Sequence, residues 1–104
     1  MPESDASSAV TIHSVVVATK DQVSSDLAGE SILLSLKTAK YYGLDQVGAR
    51  IWELVQQPTP VTAVRDAIVN EFEVDHDRCE RDVLDLLRQL AVEGLIEVRD
   101  EAAP

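Results

Sequence analysis

Apolar positions along the chain change their period near Asp45, and the other elements can be placed relative to that change. Tyr41, Tyr42 and Leu44 favour a pleated strand, whereas Val47, Ile51, Leu54 and Val55 recur at helical spacing. Asp45 sits at the switch as N-cap, because a short carboxylate accepts from the first backbone N–H groups of a helix and suits its positive end. Trp52, the single tryptophan, stands one position off the stripe. It widens the apolar face or packs at its edge, a core role before a ligand role.

Upstream, the β-branched cluster Ile12, Val15, Val16 and Val17 predicts a first strand within residues 10–19. Residues 21–29 are polar and read as a connection, although Val23 and Leu27 could extend the first strand across it. Ile32, Leu34 and Leu36 alternate with Ser31, Leu33 and Ser35, which predicts a half-buried second strand over 30–36. A hairpin through residues 37–40 then leads to the third strand at Tyr41.

Downstream of the first helix, Pro58 and Pro60 break the pattern, and Thr59 is the expected N-cap of a second helix with Pro60 at its first position. Val61, Val64, Ala67, Ile68 and Phe72 form its buried side, and it ends near Phe72 or Glu73. Asp75 caps a third helix carrying Cys79, Val83, Leu86, Leu87 and Leu90, which Gly94 stops. Leu95, Ile96 and Val98 read as a short extended tail over the core. The expected fold class is α+β, a three-stranded antiparallel sheet followed by three helices packed on one face. Residues 1–9 and 100–104 are expected to be flexible tails around a single domain at 10–99.

Composition narrows the partners. The formal charge is −10, with nine basic residues against nineteen acidic ones. Nucleic acids and anionic membrane surfaces are thereby disfavoured, since both demand clustered Lys and Arg, and a positively charged partner is favoured. No apolar run approaches the roughly 20 residues of a membrane span, and the acidic start lacks the order of a secretory signal. With Cys79 as its only cysteine, the chain reads as cytoplasmic.

Candidate chemistry is sparse. His76 stands three residues before Cys79, a spacing that could activate a thiolate, but Cys79 continues the apolar stripe and reads as a small buried packing residue. His13 lies among valines and reads as a strand-surface residue. Two histidines and one cysteine in separate elements give no metal spacing, and no glycine loop cradles phosphate. Asp77, Glu80, Asp82 and Asp85 interleave with Arg78, Arg81 and Arg88 as a solvated, ion-paired face. No catalytic residue, metal or cofactor is expected. Surface shape remains, because the Tyr41 strand is a candidate sheet edge that either accepts a peptide as an added strand or is covered by helix three.

The strings Leu33-Leu34-Ser35-Leu36, Lys40-Tyr41-Tyr42-Gly43-Leu44-Asp45, Gly48-Ala49-Arg50-Ile51-Trp52-Glu53-Leu54 and Ala91-Val92-Glu93-Gly94-Leu95-Ile96 together resemble the PqqD-like peptide chaperones, the RiPP recognition elements. The similarity runs over about residues 12 to 98. Departures are Pro60, where the family usually has a threonine, and a hairpin at Thr38-Ala39 without the common glycine. A free-standing acidic version resembles the leader-binding subunit of split lasso-peptide systems. The resemblance implies a small winged helix-turn-helix and a non-catalytic role presenting the leader of a precursor peptide to a leader peptidase and to the lasso cyclase, as a monomer. The strand residues Lys40, Tyr41, Tyr42 and Gly43, with Leu44 at its end, would offer backbone hydrogen bonds to the leader. Cys79, Asp82, Val83 and Leu86 of helix three would form the other wall, the Asp82 and Leu86 flank turned to the groove. A winged-helix DNA regulator is the rival reading on fold grounds and conflicts with the charge; a generic protein-binding domain is the third.

Overall fold

The computed structural model describes residues 10–20, 22–27, 30–36 and 38–99, so the tails expected at 1–9 and 100–104 lie outside the described residues. The fold is α+β, and the described residues form two antiparallel three-stranded sheets and three helices.

The first sheet is built around β1 (Val15–Ala18). On one side lies β5 (Thr59–Pro60), with Val15 opposite Pro60, and on the other β6 (Ile96–Val98), with Val17 opposite Glu97. This corrects two expectations. β1 is not in the sheet of the Tyr41 strand, and the segment after Gly94 is a strand rather than a covering tail, because both edges of β1 are filled by later segments, β5 between the first and second helices and β6 after the last. Proline is tolerated in β5, which is itself an edge. His13 precedes β1 in a turn and is exposed, its N–H donating to Thr11 Oγ1.

The second sheet has the order β2 (Gln22–Leu27), β3 (Glu30–Ser35), β4 (Tyr41–Leu44). The expected connection at 21–29 therefore contains a full strand, in register with β3 from Gln22 opposite Ser35 to Leu27 opposite Glu30. The β3–β4 hairpin does without glycine by placing Ala39 at φ 60°.

Helix α1 (Gln46–Leu54) is capped as expected, Gly48 N donating to Asp45 Oδ1 at 2.9 Å. Helix α2 (Val61–Phe72) starts one residue later than predicted, with Pro60 in the cap position. Thr59 is not its cap: the hydroxyl donates backwards to the Leu54 and Gln57 carbonyls, both at 2.7 Å, and closes off α1. The Val61 N–H donates instead to the Ser14 carbonyl at 2.9 Å. Glu73 at φ 53° ends α2. Helix α3 (His76–Val92) is capped by Asp75, which accepts from Arg78 N at 2.9 Å. It ends in a Schellman arrangement: Gly94 sits at φ 77°, its N–H bonded to the Ala91 carbonyl and that of Leu95 to the Leu90 carbonyl.

The core runs along the inner stripe of α3. Cys79, Val83, Leu87 and Leu90 meet Val16, Leu33, Ile51, Trp52, Val64, Ile68, Leu95 and Ile96, all buried. Among the described residues no helix is long and apolar enough to cross a membrane.

Candidate functional site: a groove beside an open strand edge

β4 has one strand neighbour, β3, among the described residues. Ser35 N donates to the Lys40 carbonyl at 2.9 Å, and the register sets Leu33 opposite Tyr42 and Ser31 opposite Leu44. In an antiparallel ladder, hydrogen-bonded and non-bonded pairs alternate. Lys40, Tyr42 and Leu44 therefore turn their backbone groups to β3, whereas Tyr41 and Gly43 turn theirs to the open edge. Side chains alternate independently: Tyr42 and Leu44 face inward, Tyr41 and Gly43 outward.

The open edge borders a groove of about 730 Å³. Its floor is apolar, formed by Ile51 of α1, Ile68 of α2 and Cys79 of α3, all nearly fully buried. Gly43 and Leu44 flank one side with Val47 and Gly48 from the start of α1. Val74 and Asp75 from the α2–α3 turn and Arg78, Asp82 and Leu86 from α3 flank the other. Val74, 39% exposed, is the one large apolar side chain of that turn open to solvent.

Of the residues singled out from sequence, Gly43, Leu44, Cys79, Asp82 and Leu86 come together around the groove. Lys40 and Tyr41 are exposed along the strand toward the hairpin, outside the lining. Val83 is closed into the core at 1% exposure and does not line the groove. Sequence reasoning missed Val47, Gly48, Ile51, Ile68, Val74 and Arg78. Ile51 and Ile68 carry no signal distinguishing groove floor from core, whereas an exposed valine between two helix signals at Val74 is a usable one.

Charge is concentrated at the rim. Asp45 and Asp75 are both held as N-caps, and Asp82 faces Arg78 at 4.0 Å. On the floor, the Cys79 thiol contacts the Arg65 carbonyl at 3.8 Å and is pushed above its ordinary range, first by burial and then by Asp82. The His76 ring lies against Asp77 at 3.3 Å, so Cys79 is a packing thiol rather than half of an activated pair. Among the described residues no group of three or more His, Cys, Asp or Glu could hold a metal. Outside the groove lining, the Tyr42 hydroxyl is buried near Glu93 and Thr38 without a well-formed hydrogen bond among the described residues, and burial, followed by the Glu93 carboxylate, raises its pKa.

Residues 30–96 match the family model for coenzyme PQQ synthesis protein D (PqqD), a span that includes β3, β4, α1, α2 and α3. The chain belongs to the PqqD family. Two solved structures share the fold of this PqqD-family chain. One is TbiB1 in complex with the TbiA(beta) leader peptide, 41% identical, with a TM-score of 0.71 over 78% of this chain and 94% of that one. The other is a lasso peptide synthetase B1 complexed with the leader peptide, 20% identical, with a TM-score of 0.67 over 78% and 95%. None of the curated proteins matches.

Proposed function

We propose that this chain is a non-catalytic adaptor that binds the leader of a ribosomally made precursor, of the lasso class, as an added strand on β4. The carrying observation is that the open edge of β4, with the outward backbone groups of Tyr41 and Gly43, borders an apolar-floored groove. Backbone pairing along such an edge supplies affinity, and pockets beside it supply choice of side chain. The 41% identity to a chain solved with a leader peptide supports the same reading.

A winged-helix DNA regulator would present α3 to a phosphate backbone. The outer positions of α3 instead hold Asp77, Glu80, Asp82 and Asp85 against Arg78, Arg81 and Arg88, on a chain of charge −10. Such a surface repels phosphate.

The adaptor hands the bound leader to a leader peptidase and to the lasso cyclase. The outer face of the β2-β3-β4 sheet suits a protein partner, since Ile32 is 41% and Tyr41 72% exposed there, with Leu34 half-buried between them. In this reading the chemistry resides in the partners, and Cys79 serves as a buried packing thiol of the groove floor.

The deciding experiment is fluorescence polarisation with the labelled TbiA(beta) leader peptide against the parent and Leu86→Glu. The parent binds and the variant loses about 2 kcal/mol, the scale of an interface hot spot. Salt-sensitive binding of duplex DNA with no leader binding would overturn the proposal.

A further inference from the structure

We infer that the groove selects a peptide segment carrying a basic side chain, with Asp82 as the residue that reads it. The inference rests on the leader-binding proposal and adds a chemistry to it.

Three carboxylates and one guanidinium border the groove, those of Asp45, Asp75, Asp82 and Arg78. They are not equivalent. Asp45 and Asp75 each accept a backbone N–H at the start of a helix, where the positive end of the dipole already balances their charge. Asp82 lies beyond the first turn of α3, out of reach of that balance. Its ion-pair partner is Arg78 at 4.0 Å, the limit of contact, with both side chains mostly in solvent. A pair of that kind contributes little, so an incoming cation displaces Arg78 at small cost.

Position makes Asp82 effective. It follows Cys79 by three residues and precedes Leu86 by four, so its carboxylate stands at the lip of the apolar floor. The upward push that Asp82 exerts on the Cys79 thiol shows its field reaching that floor. A lysine or arginine of the peptide lays its aliphatic stem on Leu86 and delivers its charge to Asp82. An acidic side chain at the same place meets a rim of net negative charge on a chain that is itself at −10. The overall field also speeds the approach of a basic segment.

The test uses the TbiA(beta) leader as probe, with each position replaced in turn by Lys, Gln and Glu, titrated against parent, Asp82→Asn, Asp82→Lys and Arg78→Gln. With the parent, at least one position prefers Lys over Gln by about three- to fivefold, the upper end for a solvent-accessible ion pair. That preference vanishes in Asp82→Asn, reverses in favour of Glu in Asp82→Lys, and persists in Arg78→Gln. Should leaders bind while no position prefers Lys, or while the preference survives in Asp82→Asn, the inference is overturned and the adaptor proposal stands. Should the parent bind no member of the series, the adaptor proposal and this inference fall together.

Discussion

Gly48 of α1 packs so closely on Leu44 of β4 that a Cβ at position 48 would stand 3.2 Å from Leu44 Cβ and 3.3 Å from Leu44 Cδ2. The missing side chain thus sets how near the edge strand approaches the helix, and both residues border the groove. Gly48→Ala gains helix propensity of about 1 kcal/mol but presses on a Cβ that cannot rotate away, at an overpacking cost of about 1 to 3 kcal/mol. The expected net result is a loss of about 1 kcal/mol in urea unfolding, with amide shift changes at residues 41–44. An unchanged or raised midpoint would mean that β4 yields freely.

Leu87 and Leu90 are at 0% and 1% exposure in the centre of the core, whereas Leu86 is half-buried at the groove. Leu87→Asp or Leu90→Asp buries a carboxylate without a partner and should lower stability by about 3 kcal/mol or more. Leu86→Glu leaves its charge at a solvent-open wall and should cost clearly less. Melting curves for the three variants check the order, and equal losses would contradict the assignment of faces on α3.

Where the sequence carries a local device, the structure can be anticipated from it. Asp45 and Asp75 are short carboxylates before apolar stripes, and Gly94 follows one, so helix ends are legible to within a residue or two. Thr59 misleads because a hydroxyl before proline looks like a cap, and only the neighbouring Leu54 and Gln57 carbonyls show where it bonds. The partners of β1 leave no such trace: β5 is two residues long and β6 three, and both pair with β1 across long stretches of chain. β2 is mostly polar, so its alternation is faint. At the groove, the helical wheel sets Asp82 and Leu86 together on one flank of α3 but does not say which flank faces the strand, and the floor is not legible, because Ile51 and Ile68 differ from core residues only in which neighbouring wall is left open.

Ala39 at φ 60° occupies a conformation that costs an L side chain about 1 to 2 kcal/mol. Ala39→Gly relieves that strain but frees the unfolded chain by about 0.4 to 1 kcal/mol. A net gain of about 0.5 kcal/mol in urea unfolding is expected. A loss would place the strain elsewhere in the hairpin.

Tyr42 offers a pH-dependent test. Its hydroxyl is buried near Glu93 and Thr38 without a well-formed hydrogen bond among the described residues, so Tyr42→Phe should change stability at neutral pH only slightly, by less than the loss of a fully formed buried hydrogen bond. The folded pKa is raised above 10.0, so the unfolded chain releases this proton first as pH rises. Stability therefore falls as pH climbs from the ordinary tyrosine value through the folded one. Urea midpoints between pH 9 and 11 should fall more steeply for the parent than for Tyr42→Phe, and parallel curves would show that Tyr42 titrates as an ordinary tyrosine.

The direction of the β4 backbone groups separates strand addition from other modes of binding. Tyr41 and Gly43 point their N–H groups to the open edge, while Tyr42 points its own to β3 opposite Leu33. Proline lacks the donor and disrupts the ladder only where that donor was used. Tyr41→Pro should accordingly keep most of the thermal stability and weaken leader binding by about 1 kcal/mol, the net contribution of one backbone hydrogen bond. Tyr42→Pro should do the reverse in order of severity, lowering the melting temperature first, because it removes a bond inside the sheet. A leader held only by its side chains in the apolar groove would be indifferent to Tyr41→Pro. Equal affinity of the folded Tyr41→Pro variant and the parent would therefore rule out strand addition at that donor and leave the groove as the whole site; a selective loss would locate the leader on β4.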